Sequence, residues 1–119
     1  MKRVQVNFLY KDLGLIDAYV EEYGFISRNH LFQCVLRHAY INRDSFIRFC
    51  KKKMERDGYI YEDRYGAKII LDMTPKDMEI INFFLAVLGK RLKDRGSVAW
   101  ERGRIYAYAC HYLFGGKNE

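Results

Sequence analysis

Three side chains near the start of the chain have the types and the spacing needed to contact DNA bases. Arg3, Gln5 and Asn7 alternate with apolar residues in the run Arg3-Val4-Gln5-Val6-Asn7-Phe8. A period of two is that of a β-strand with one buried face, so the three would share the outward face. Arg can donate two hydrogen bonds to guanine O6 and N7, and Gln or Asn can pair with adenine N6 and N7. With no carboxylate among them, they predict a base-reading strand. The alternative is that they simply face water.

The elements that would position this strand follow it directly. Leu13 and Ile16 belong to a helical apolar repeat that Gly24 closes. Ser27 is a natural N-cap for a second helix, from Arg28 to about Tyr40, whose two apolar stripes predict contact from both sides. A strand and two short helices cannot bury their apolar faces alone. The sequence therefore predicts a partner strand and a partner pair of helices.

An ordered set of residues in this first third of the chain carries a family resemblance. The set is Arg3-Val4, Val6, Leu13, Asp17, Val20-Glu21-Glu22, Gly24, Ser27-Arg28 and Leu36-Arg37. Through it the chain resembles the ribbon-helix-helix DNA-binding proteins of the MetJ, Arc and CopG type. The resemblance implies that two antiparallel strands lie in the major groove, with the outward side chains on the bases.

The resemblance also implies a clamp on the DNA backbone at the turn before the second helix. Ser27, Arg28 and Asn29 lie at that turn, where free backbone N–H groups and the helix dipole favour a phosphate. Lys2, beside the first outward residue, is a further candidate phosphate contact. The simpler interpretation of Ser27 is a helix cap, and both roles are compatible.

Beyond residue 41 the pattern predicts a third helix and then a hairpin. The helix runs from Asn42 to Asp57, carries several basic residues and ends at Gly58. Tyr59–Tyr61 and Ala67–Met73 indicate strands on either side of a short turn.

The last half of the chain predicts an internal repeat of the first. An offset of 65 residues places Lys68–Met73 on Arg3–Phe8. Thr74-Pro75 would begin the next helix as N-cap and first residue, and Gly89 would end it. Ser97 then takes the place of Ser27 before a final helix.

We therefore predict a mainly α fold with short β-ribbons, in which a strand-helix-helix unit occurs twice. The tandem ribbon-helix-helix units would span residues 1–41 and 67–115, joined by a helix-hairpin linker at 42–66. The second unit is divergent, because its outward strand residues are Lys68, Ile70 and Asp72. An Asp is repelled by phosphates, and an exposed Ile more often indicates cover by protein. The second strand would then mainly complete the fold, pairing with the first strand of the same chain or of another.

A winged helix is the alternative fold, and it is also a DNA-binding one. Under it the helix at 43–57 would enter the major groove and the hairpin would contact the DNA backbone. The contacts would be Arg43, Ser45, Arg48 and Lys52 from the helix, and Arg64 and Lys68 from the wing. This alternative leaves the first strand without a clear task and does not explain the repeat.

The composition limits the classes of function. The chain has 119 residues, half of them hydrophobic, and a formal net charge of +6. It can therefore form one compact unit or two very small ones, and its charge favours a polyanionic partner. We predict a transcriptional regulator, repressor or activator, that binds double-stranded DNA as a homo-oligomer of two or more chains. The competing class is a protein-interaction subunit whose basic charge serves only solubility.

The cysteines and histidines show no pattern of catalysis or metal binding. They are Cys34, Cys50 and Cys110, and His30, His38 and His111. The cysteines are odd in number with no close pair, which suits a reducing cytosol, and the histidines have no ligand spacing. Phosphate loops and nucleophile elbows are also missing. We predict no enzymatic activity, no cofactor and no metal.

Membrane and export signals are missing from the sequence. No apolar run approaches the roughly 18 residues of a membrane span, and the first residues lack a signal-peptide pattern. We predict a cytoplasmic protein with no membrane partner. One Pro, ten Tyr and eight Phe also resemble the composition of proteins from hyperthermophilic archaea and their viruses. For a virus-encoded protein the compartment would be the host-cell cytoplasm.

Overall fold

The fold is mainly helical, with one short antiparallel ribbon. The computed structural model describes residues 1–57, 66–92 and 98–115. The elements are β1 (Lys2–Leu9), α1 (Tyr10–Glu22), α2 (Arg28–Ile41), α3 (Arg43–Asp57), β2 (Gly66–Met73), α4 (Pro75–Leu92) and α5 (Val98–Cys110), followed by a π-helical turn at His111–Gly115. The predicted mainly α fold with a short ribbon is confirmed. The strand predicted at 59–61 lies outside the described residues.

The ribbon is made by one chain. Strand β1 pairs with β2 in antiparallel register, and Gln5 lies opposite Ile70. The sequence left open whether the first strand pairs within its chain or with another chain, and the structure has the pair within the chain. This pairing turns both apolar strand faces towards the helices: Val4, Val6 and Phe8 of β1, and Leu71 and Met73 of β2.

The core includes residues of every helix, and one part of it lies between the ribbon and the two helices α2 and α5. Phe8 of β1 stacks on Phe32 of α2, with ring centroids 5.3 Å apart, and the Phe32 ring lies 4.8 Å from that of Tyr106 in α5. All three are at most 2% exposed. Burying a side chain of this size contributes about 1.5–3 kcal/mol, so this stack joins the ribbon firmly to both helices. The two predicted units therefore share one core.

The helix starts predicted at Ser27 and Thr74 are confirmed, and the predicted cap Ser97 lies outside the described residues. The Ser27 hydroxyl accepts a hydrogen bond from the His30 backbone N–H at 3.2 Å, and Thr74 Oγ1 accepts one from the Asp77 N–H at 3.1 Å. Gly24 follows α1 with a φ of +71°, a left-handed conformation that favours glycine. Each signal is local, which is why the sequence was sufficient to find it.

The expected end of α4 at Gly89 is wrong, because the helix continues to Leu92. A glycine inside a helix costs only about 1 kcal/mol relative to alanine. Packing of the preceding turns, where Phe84 and Leu88 are fully buried, outweighs that cost. Within the described ranges, no helix is both long and apolar enough to cross a bilayer.

An ion pair joins the two halves of the chain. Arg37 of α2 donates to Asp77 in the first turn of α4 at 3.2 Å, and the Asp77 side chain is only 2% exposed. A carboxylate in a first helical turn is favoured by the helix dipole. Removing the Arg37 guanidinium would leave this buried charge without its cation, so the pair ties α4 to α2.

Candidate nucleic-acid interface

The outward face of the ribbon is a polar strip with one apolar residue at its middle. Arg3 and Gln5 of β1 are exposed, as are Lys68, Ile70 and Asp72 of β2. Arg3 lies opposite Asp72, and Gln5 lies opposite Ile70. Directly opposite residues on neighbouring strands have Cβ atoms about 4.5–5.5 Å apart, so each pair forms one contact unit. A two-stranded ribbon of this kind has the width of a DNA major groove.

Arg3 and Asp72 form a weak ion pair on this face. Their closest nitrogen and oxygen are 3.9 Å apart, and their side chains are 79% and 57% exposed. Exposed pairs contribute about 0.2–1 kcal/mol. Arg3 can therefore leave Asp72 for another acceptor at little cost.

The expectation that Asn7 is exposed is wrong. Asn7 is only 5% exposed, and its backbone carbonyl lies against Gly103 of α5. Its side-chain Oδ1 accepts a hydrogen bond from Gln5 Nε2 at 3.2 Å. Alternation assigns a residue to a face, but it does not show which part of that face another element covers. The exposed polar residues of β1 are thus Lys2, Arg3 and Gln5.

The Asn7 side chain instead fixes the amide of Gln5. A Gln amide has two N–H donors and a carbonyl oxygen, and the bond to Asn7 uses one donor. The second N–H and the oxygen stay available, and these are the two groups that pair with adenine N7 and N6. Asn7 is therefore placed to orient Gln5.

Helix α5 brings a cation to β1 that sequence reasoning missed. Arg102 Nη1 donates to the Gln5 backbone carbonyl at 3.1 Å, and its Nε is buried with no hydrogen-bond partner among the described atoms. With Ser97 aligned on Ser27, Arg102 falls on Phe32, a core position. A charged residue at a core position of the repeat is the signal that could have found it.

The turn before α2 holds the three predicted phosphate contacts, but one is already engaged. Ser27 caps the helix, and Asn29 is half-buried in its first turn. Arg28 donates two hydrogen bonds to Asp17, at 2.6 and 2.7 Å, and these bonds hold the pKa of the Asp17 carboxyl below its ordinary 3.8. Asp17 thus occupies the guanidinium fork that a phosphate would use. The N-terminal N–H groups of α2 have no partner within the helix itself.

The other residues that the sequence predicts to contact DNA lie on different elements. Lys2 and Lys68 are exposed residues of the ribbon. Arg48 and Lys52 are exposed one turn apart on α3, a helix that packs against α2 and α4. The structure does not place this α3 pair on the ribbon.

A small cavity lies between the start of α1 and α5. Its volume is about 70 Å³. It is lined by Leu9, Lys11, Asp12, Lys53, Arg104, Ala107, Tyr108 and His111. Sites for drug-sized ligands have about 300–1,000 Å³, so this cavity is too small for a nucleotide. In the three described ranges, no group of three His, Cys, Asp or Glu side chains is placed to hold a metal ion.

Comparison with family models, curated proteins and solved structures finds no match for this chain. The feature of this chain that fits a polyanionic partner is the charge of the ribbon. Both of its strands carry cations outward, at Arg3 and Lys68, and α5 adds Arg102 at the side of β1.

Proposed function

We propose that the chain is a sequence-specific double-stranded DNA-binding regulator of transcription. Its fold would be a tandem ribbon-helix-helix fold closed within one chain, and its β1–β2 ribbon would enter the major groove. The observation that carries the proposal is the strand register. Gln5 pairs with Ile70, the residue that the 65-residue offset of the sequence repeat aligns with it.

This match is informative because it falls at the middle of both strands, Lys2–Leu9 and Gly66–Met73, where a two-fold axis of the ribbon would pass. In a ribbon of two equivalent strands, the residue on the two-fold axis pairs with its own equivalent. A register shifted by one position would turn the apolar residues of the strand outward and remove the match. The pairing therefore supports a pseudo-two-fold axis between Gln5 and Ile70, which is the architecture of a ribbon-helix-helix pair.

The two central helices agree with the same axis. Val35 and Ala39 of α2 align with Ile105 and Ala109 of α5, and all four are fully buried. Equivalent positions thus contribute to the shared core from both halves. Because the ribbon closes within the chain, a second chain is not needed to complete it, and homo-oligomerisation stays a prediction.

The chemistry of the ribbon face fits DNA. Arg3 can leave its weak ion pair with Asp72 to bond guanine O6 and N7, and Gln5 offers an amide, oriented by Asn7, that matches adenine. Each bidentate contact contributes about 1–3 kcal/mol of discrimination between bases. Lys2, Lys68 and Arg102 add phosphate contacts beside the readers. The start of α2, at Ser27, Arg28 and Asn29, adds the backbone N–H groups of a helix N-terminus as a further phosphate contact. The Arg28 side chain there also bonds to Asp17.

The test compares two substitutions that remove the same charge. A preferred site is first selected from random double-stranded DNA with the full chain. Arg3→Ala should then weaken binding to that site about 5- to 150-fold, and binding to random DNA much less. Arg48→Ala, on α3, is the matched control and should lower both affinities slightly and equally.

The opposite result would favour the winged-helix alternative. In that case Arg48→Ala and Lys52→Ala would abolish site preference, and Arg3→Ala would not. A regulator should also lose affinity steeply with salt, because phosphate contacts release counterions. If no salt-dependent DNA binding is found, the chain belongs to the protein-interaction class.

A further inference from the structure

The centre of the ribbon presents two unlike side chains next to each other. Gln5, with its oriented amide, lies directly opposite Ile70, which is 52% exposed. In the major groove an A·T pair shows, in order, adenine N7 and N6, thymine O4 and the thymine methyl. An amide beside a branched aliphatic side chain matches this pair, because only A·T offers both an amide-binding edge and a methyl group.

One end of the ribbon presents a second, different pair. Arg3 can donate to guanine N7 and O6, and Asp72, opposite it, can accept from the N4 amino group of the paired cytosine. The 3.9 Å approach of the two side chains shows that they reach the same position on the face. The Asp that is unfavourable beside phosphate is thus suited to a G·C base edge.

The other end of the ribbon lacks an equivalent pair. The pseudo-two-fold axis relates Arg3 to Lys68 and Asp72 to Asn7. Asn7 is buried and bonded to Gln5, so only Lys68 is exposed there. Lysine is a point charge rather than a planar fork, and it suits a phosphate or a single acceptor. The two ends of the ribbon are therefore chemically different.

From this asymmetry we infer that one chain recognises a complete, non-palindromic DNA site with a G·C pair at one end and an A·T pair at its centre. This inference rests on the proposed DNA-binding function. Symmetric dimers require operators whose symmetry mirrors their own two-fold axis, and a ribbon with unlike strands does not. Residues along a strand and base pairs along DNA both rise by about 3.4 Å, so the two base pairs lie one or two steps apart.

The experiment starts from the site selected with the full-length chain. The first measurements are the symmetry of the selected motif and the number of chains bound, by native mass spectrometry. We expect one chain on an asymmetric motif that contains both base pairs. The central thymine is then replaced by deoxyuridine, which removes only its methyl group.

Loss of that methyl should weaken binding by wild-type protein about fourfold, the effect of burying one methyl group against an apolar side chain. Binding by Ile70→Ala should not change on the same replacement. Deoxyuridine at a thymine outside the motif is the control for general effects. Asp72→Asn should keep the motif length but relax the preference for a G·C pair at the position that Arg3 contacts.

Two results would overturn the inference and leave the DNA-binding proposal standing. The first is a palindromic motif bound by two chains. The second is an asymmetric site at which wild type and Ile70→Ala respond equally to loss of the methyl; Ile70 would then serve contact with protein rather than with DNA. Binding with no sequence preference, or no binding at all, would instead overturn the proposed function itself.

Discussion

Replacement of Gly103 by alanine should separate α5 from the ribbon. A Cβ at Gly103 would overlap the Asn7 carbonyl oxygen and lie 2.8 Å from the carbonyl carbon. Both obstacles are backbone atoms, so no side chain can turn away to make room. Relief requires α5 to move off β1, which also lengthens the hydrogen bond from Arg102 to the Gln5 carbonyl.

The expected cost follows from three contributions. Overpacking of a well-filled site costs about 1–3 kcal/mol, and a lost hydrogen bond about 1 kcal/mol. The helix preference of alanine over glycine returns about 1 kcal/mol. We expect Gly103→Ala to lower the free energy of unfolding by about 1–3 kcal/mol and to weaken specific DNA binding, because Gln5 loses its support.

Urea unfolding followed by circular dichroism measures this cost. The single tryptophan, Trp100 of α5, lies against Gly66 at the start of β2, so its fluorescence reports on the packing of α5 against the ribbon. Gly14→Ala is the matched control. Gly14 is a helical glycine with open space where a Cβ would stand, and alanine there should stabilise the protein by about 0.5–1 kcal/mol.

The outcome of this pair of substitutions is decisive for the packing. If Gly103→Ala unfolds at the same urea concentration as Gly14→Ala, with unchanged Trp100 fluorescence, then α5 does not rest on the carbonyl of Asn7. The contact between α5 and the Asn7 carbonyl would then not explain why Asn7 is buried or how Gln5 is oriented.

Two further predictions concern charge and thiol chemistry. Asp17→Asn should lower stability at neutral pH by under about 1 kcal/mol, since the pair is exposed, and raise DNA affinity by freeing Arg28. The fold lowers the pKa of Asp17 from 3.8, so the stability difference between wild type and Asp17→Asn should be present above that pH and disappear as the pH falls through the lowered value. Urea titrations at several pH values measure this difference. A difference that does not change with pH would contradict the ion pair. Half-buried Cys34 should react with maleimide first, and Cys50 and Cys110, whose burial raises the pKa of their thiols, only on unfolding. Equal labelling rates by mass spectrometry would contradict this order.

The sequence predicted those features that depend on neighbours along the chain. Alternation placed Val4, Val6 and Phe8 on the core side of β1, and these residues are at most 4% exposed. Ser27 and Thr74 marked the starts of α2 and α4, because a cap bonds to an N–H group three residues away. Such interactions are complete within one turn, so a pattern of residue types is enough to find them.

The features that sequence reasoning missed depend on contacts distant along the chain. Asn7 is buried at an end of the ribbon where α5 approaches, and α5 begins ninety-one residues later. Gly89 continues α4 because the preceding turns are anchored in the core. Arg102 bonds to Gln5 across 97 residues of sequence. Local patterns carry no record of which element covers which, so these positions required the folded chain.

Helices α2 and α5 differ at two positions that the predicted repeat makes equivalent. This difference explains why β1 and β2 have different surroundings. Where α2 has Phe32 and Gln33, α5 has Arg102 and Gly103. Glycine lets the α5 backbone approach the Asn7 carbonyl, and Arg102 bonds to the carbonyl of Gln5, two residues before it.

Carbonyls two residues apart point to the same edge of a strand, so α5 holds β1 along one edge. That strand carries Arg3 and Gln5, the proposed base-reading residues, and side chains on a fixed strand lose less conformational entropy on binding. Arg102 and Gly103 therefore place α5 against β1 rather than β2, beside the Asn7 side chain that bonds to Gln5. Arg102→Phe with Gly103→Gln, the residues at the equivalent positions of α2, should therefore remove both contacts of α5 with β1 and weaken the proposed discrimination between bases.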